Sequence, residues 1–167
     1  MEFRKSTKAD IGNIMKIIKQ AQEYFRQNGI DQWQNNYPNQ DVIENDIENE
    51  YGHLLLKDGK IVATVSISFD KEENYNKVYN GKWISNEEYA AIHRVAVDND
   101  YKGLGLSYEI FNKIEKLCLE KDIHSIKIDT HKDNIPMKKM LKKSGFKYCG
   151  IIYVDDKSER IAFEKIF

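Results

Sequence analysis

The spacing of apolar positions changes period several times along the chain, and each change marks an element. Glu2–Lys5 reads as a short strand. Thr7 with Asp10 three residues on is a helix-start signal, and Ile11, Ile14, Ile18, Ala21 and Phe25 then recur at helical spacing until Asn28-Gly29 stops them. Residues 32–38 form an aromatic, amide-rich loop, and a second helix is predicted over about 40–50, with Val42, Ile43 and Ile47 on its inner face. Residues 51–57 and 60–69 are strand patterns around Asp58-Gly59, a hairpin signal. Residues 70–86 read as a long polar loop and residues 88–98 as a strand carrying Ile92, Val95 and Val97.

A turn over residues 98–107 opens a third helix, with Leu106, Ile110, Ile114, Leu117 and Cys118 on one face. A short strand at 125–129 follows. Asn134-Ile135-Pro136 starts a fourth helix, whose inward positions are Met137, Met140 and Leu141 and whose end is Ser144-Gly145. Residues 146–154 and 159–167 make a last hairpin. The predicted order is β-α-α-β-β-β-α-β-α-β-β, an α/β fold with a mixed sheet and helices on both faces.

The chain has 167 residues, 41% hydrophobic and 32% charged, with a net charge of −1, which suits a single domain over residues 1–167 with a genuine core. This balance argues against disorder and against a nucleic-acid partner, which calls for a basic face. No window approaches the roughly 18 apolar residues of a membrane span, and residues 1–5 carry no apolar leader region. Two distant cysteines, Cys118 and Cys149, fit free thiols in a cytoplasmic setting. The acidic run 41–50 and the lysines of 138–143 read as solvated helix faces. His53, His124 and His131 show no ligand spacing, so no metal is expected.

Residues 92–107 hold the most chemistry. A strand leads through a turn to Lys102-Gly103-Leu104-Gly105-Leu106-Ser107 at the start of a helix. Helix N-termini present unpaired N–H groups and a positive dipole end, and glycines let an anion approach that backbone closely. The P-loop pattern is missing, and Tyr108 stands where a dinucleotide fingerprint needs a third glycine. A plain glycine turn between strand and helix remains the other reading of this pattern alone.

This segment resembles the acyl-CoA-binding motif of the GNAT (Gcn5-related N-acetyltransferase) superfamily, Arg/Gln-x-x-Gly-x-Gly/Ala, with Lys102 and Ser107 as departures. Residues 91–97 (Ala-Ile-His-Arg-Val-Ala-Val) resemble the family's central strand. Residues 129–134 (Asp-Thr-His-Lys-Asp-Asn) and 143–146 (Lys-Ser-Gly-Phe) resemble its later strand and helix ending. The resemblance implies a GNAT-like fold, with a mostly antiparallel central sheet flanked by helices. It implies direct transfer of an acetyl group from acetyl-CoA, as co-substrate, to a primary amine of a small molecule or protein, by a monomer or homodimer.

It further implies roles. Val95, Ala96 and Val97 would pair with the pantetheine arm, with the Val97 N–H as the favoured oxyanion donor on a bulged strand. Lys102, Gly103, Leu104, Gly105, Leu106 and Ser107 would hold the pyrophosphate, and Asn134 would lie near the pantetheine or serve as a helix cap. An amine of pKa near ~10.4 is only about 0.04% neutral at pH 7, so a base is needed. His93, Glu87 and Glu88 are candidates, His93 having the most suitable ordinary pKa, although a strand histidine with a structural hydrogen bond is the alternative. Period two puts His93, Val95 and Val97 on one face and Ile92 and Arg94 on the other.

Where many members carry an acidic tyrosine, this chain has Leu141. The thiolate then leaves unassisted or with help from Tyr148 or Tyr153. Leu141 also keeps open a coenzyme A-binding sensor without catalysis. Trp33 and Tyr37 are candidates for a wall of the acceptor cleft, or for packing under their loop.

Overall fold

Seven strands and four helices form in the predicted order: β1 (Glu2–Lys5), α1 (Ile11–Gln27), α2 (Gln40–Glu48), β2 (Gly52–Lys57), β3 (Lys60–Ser68), β4 (Ala90–Val97), α3 (Leu106–Glu120), β5 (Ser125–Thr130), α4 (Ile135–Lys143), β6 (Lys147–Tyr153) and β7 (Glu159–Ile166). The structure, a computed structural model, describes residues 1–167. Strand order is β1-β2-β3-β4-β5-β7-β6. The pairs β1–β2, β2–β3, β5–β7 and β6–β7 are antiparallel, and β4–β5 is parallel. By contacts the chain divides into two compact units, Met1–Ile67 with His93–Ile110, and Ser68–Ile92 with Phe111–Phe167.

The first unit is built on α1 and α2. Thr7 and Asp10 form the expected capping box, and Asp10 also accepts both terminal nitrogens of Arg4 at 2.9 and 3.1 Å. Those bonds, ahead of burial, hold the Asp10 carboxyl below its ordinary pKa. The helical stripe buries Ile14, Ile17 and Ile18 against Ile43, Leu54, Leu56 and Ala96. This cluster decides which face of β4 is core: Ala96, on the Ile92 face, is buried, whereas Val95 and Val97, on the His93 face, are half-exposed. It also corrects the acidic run, because Asp46 on α2 is 6% exposed by side chain rather than solvated.

In the second unit, Tyr75, Ala91, Cys149, Ile152 and Ala162 pack together, with Trp83 and Tyr89 against them. The stretch 70–86 is therefore more than a polar loop. It contains a 3₁₀ turn at Glu73–Tyr75, a bridge from Tyr79 to Ile151, and a buried tyrosine whose hydroxyl donates to Asp129 at 2.6 Å. Burial, and Asp129 after it, push the Tyr75 pKa well above the ordinary phenol value. Tyr79 packs close to the β6 bend at Gly150 (φ +138°), where a Cβ would lie 2.5 Å from Val78 and 2.6 Å from the Tyr79 carbonyl.

Candidate active site

The parallel β4–β5 ladder runs from Ala90↔Ile126 to Ile92↔Ile128. Two residues beyond Ile92, Arg94 has φ +53°, a left-handed conformation inside a strand. A non-glycine residue there is strained by about 1–3 kcal/mol and persists only where its surroundings hold it. Here they do. Nε and Nη2 of Arg94 donate to the two Asp46 oxygens at 2.7 and 2.6 Å, Nη2 also reaches Ser66 Oγ at 3.2 Å, and Nη1 donates to the Tyr37 hydroxyl at 2.9 Å. Burial works against the Arg94 charge, but the bonds to Asp46, with Tyr37 behind them, leave its pKa above the ordinary arginine value. The irregularity has the character of a bulge, which frees strand backbone from regular pairing. His93 precedes it, half-buried, and Val95–Val97 follow it.

The turn beyond β4 is pinned on two sides. Asp98 N–H donates to the Val62 carbonyl at 2.8 Å, and the Asp98 side chain accepts the Asp100 amide at 2.9 Å. Asn99 N–H reaches Gln20 of α1 at 2.9 Å. Gly103 (φ +81°) and Gly105 (φ +74°) then carry the chain left-handed into α3, with nothing within 4 Å of where a Cβ would stand on either. Residues 102–105 are exposed, while Leu106 is buried and anchors the helix start. The result is an open backbone cradle at the N-terminus of a 15-residue helix. Lys102 reaches toward α1. Its ammonium lies 5.1 Å above the Tyr24 ring, in a groove of about 480 Å³ shared with Lys16, Lys19 and Asn99.

The aromatic loop splits into two roles. Trp33 packs edge-on against Phe25, centroids 5.6 Å apart, and lies half-buried against the α1–α2 core. Tyr37 is 43% exposed, with its hydroxyl on Arg94. Gln22 of α1 ties this end of the loop down, donating to the Tyr37 and Pro38 carbonyls at 3.0 and 3.1 Å.

In the second unit, Asn134 caps α4 by accepting the Met137 amide, and its Nδ2 donates to Thr130 at 3.1 Å. Leu141 is fully buried. Tyr148 and Tyr153 are exposed on β6, and Glu87 and Glu88 are exposed ahead of β4. Sequence reasoning missed Arg94 and Asp46. The one available signal was an arginine amid the apolar residues 90–97, and its partner lies 48 positions away.

Residues 15–146 match the profile of the family described as "Acetyltransferase (GNAT) family". A crystal structure of a GNAT-family acetyltransferase from Streptococcus agalactiae superposes with a TM-score of 0.89 at 31% identity, covering 99% of this chain and 95% of that one. Two proteins of Bacillus subtilis (strain 168) are similar in sequence. One is a provisional [ribosomal protein bS18]-alanine N-acetyltransferase, 29% identical over 63% of this chain; the other is an S-alkylcysteine N-acetyltransferase, 25% identical over 70%. The matched part spans 60% of the length of either relative.

Proposed function

The chain belongs to the GNAT acetyltransferase family, and from that premise we propose that it moves an acetyl group from acetyl-CoA directly to a primary amine of a small molecule or protein. The observation that carries this is the order of features in one stretch: a strand turned left-handed at Arg94, a pinned turn, and two left-handed glycines opening a helix. The open space at Gly103 and Gly105 suits a group that must approach the backbone closely. Amides of 103–107 grip the diphosphate there, aided by the α3 dipole. The β4 backbone past Ile92 pairs with the extended arm, and an amide among Val95, Ala96 and Val97, with Val97 favoured, donates to the thioester oxygen as charge develops on it.

His93 is the leading candidate to take the amine proton, with Glu88 behind it because Glu88 lies outside the strand. Leu141 offers no proton, so the thiolate leaves without an acid from that position. Asn134 caps α4 and stays a candidate contact of the pantetheine, since the two roles are compatible. The setting is reducing and cytoplasmic, with Cys118 and Cys149 as buried free thiols, and the working species is a monomer or homodimer.

Titration calorimetry with coenzyme A tests the premise. Saturable uptake at micromolar to millimolar ligand is expected, weakened in Gly105→Val, where a β-branched residue cannot easily hold φ +74°. No uptake at millimolar coenzyme A overturns it. A second reading, a coenzyme A-binding sensor, draws on the apolar residue at 141; uptake without thiol release across an amine panel would favour it.

A further inference from the structure

The Arg94–Tyr37 pair is built to do more than brace β4. A guanidinium has five N–H groups. Four of them go to Asp46, Ser66 and Tyr37. The fifth, on Nη1, and the proton of the Tyr37 hydroxyl sit on atoms 2.9 Å apart, at the edge of the loop where Tyr37 meets solvent. Both are donors. The only carboxylate on Arg94, that of Asp46, already takes Nε and Nη2 on the buried side. What the pair presents outward is therefore a two-pronged donor.

We infer that this pair binds the carboxylate of the acceptor, and that the acceptor is a free α-amino acid. The inference rests on the acetyl-transfer reading above and names its substrate class. Two adjacent donors match the two oxygens of one carboxylate, the arrangement in which arginine recognition is strongest. The position fits as well. Arg94 stands one to three residues from the Val95–Val97 amides, roughly 3–10 Å along a strand. An α-amino acid carries its amine and carboxylate on a single carbon, so one short molecule can lay its amine against the reacting carbonyl with its carboxylate on Tyr37 and Arg94. A polyamine has no oxygen for these donors, and an aminoglycoside offers them only neutral hydroxyl and ether oxygens. The acidic helix offers such a cation no buried charge either, because Asp46 is committed to Arg94. A peptide α-amine brings one neighbouring carbonyl oxygen and satisfies one prong.

The test compares matched acceptors on the full chain with acetyl-CoA, following thiol release. The panel is the protein L-α-amino acids, each beside its carboxamide and its decarboxylated amine. At least one amino acid is expected to turn over with a KM about ten- to a hundredfold below those of its amide and amine, the range for a hydrogen bond to a charged group. That gap should shrink in Tyr37→Phe, which keeps the ring, and in Arg94→Lys, with thermal melts of both variants reporting that they fold.

Equal KM values for acid and amide overturn the inference, as does a gap that survives intact in Tyr37→Phe. Turnover confined to amines or peptides without a nearby free carboxylate also overturns it while leaving acetyl transfer standing. Failure to bind coenzyme A at all removes the parent reading, and this inference with it.

Discussion

Each unit of the molecule buries charged side chains in its interior, and the two sets are finished differently. In the second unit, Glu164 is 0% exposed and accepts the Ile84 amide at 2.6 Å, the Ser125 hydroxyl at 2.7 Å and the Ser85 hydroxyl at 3.0 Å. Lys127 stands opposite it in the β5–β7 register, its ammonium 4.5 Å from the Trp83 ring and 4.3 Å from that of Tyr89. Both residues are turned wholly to protein, and together they hold residues 83–89 on the sheet. In the first unit, Arg94 is held as firmly by Asp46, yet one side of its guanidinium ends at an exposed phenol. A buried charge whose bonds all close on protein is explained by the fold; one with donors left at the surface asks for a ligand.

The contrast can be broken most sharply at Glu164. Glu164→Ala should cost about 3–5 kcal/mol, since it leaves the Ile84 amide and the Ser85 and Ser125 hydroxyls without their acceptor, each at about 1–3 kcal/mol. Denaturant unfolding measures the loss, and thiol release per folded molecule should change little. A loss below about 1 kcal/mol would show that the network is not what holds the loop.

Arg94→Met comes next, at about 3 kcal/mol, because it leaves Asp46 as a buried carboxylate without its cation. Unlike Glu164→Ala it should also abolish turnover. Asp46→Leu added to it should restore stability, by the logic that an unpaired buried charge costs more than an apolar replacement, without restoring activity.

The smallest effect concerns pH. Burial pulls the Lys127 pKa below the ordinary 10.5, with Glu164 and Cys149 pushing partly back. Between that lowered value and 10.5 the unfolded chain binds more protons than the folded one, so this residue's contribution to stability rises with pH across the window. Across it wild type should gain stability relative to Lys127→Met, whose residue 127 does not titrate, as melting profiles at stepped pH will read. Arg94, raised above an already high value, gives no such slope.

Much of this was legible in the chain itself. The helix at 11–27 follows from its stripe and capping box, the first hairpin from Asp58-Gly59, and the left-handed turn into α3 from glycines placed where a strand hands over to a helix. These signals are local: a cap, a turn or a period lies within a few residues, and the backbone preferences that produce it do not depend on distant partners. Only the folded chain could decide the rest. Period two divided β4 into its two faces, but the partner of Arg94 was out of reach, since it lies on a helix 48 residues away and no spacing encodes that pairing. Trp33 went to the core and Tyr37 to the surface, though both lie in one loop, since apolar burial claimed the first and Arg94 the second. The stacking of Lys102 on Tyr24 of α1 is of the same kind. Side-chain partners across long sequence separations are settled by which surfaces tertiary packing brings together.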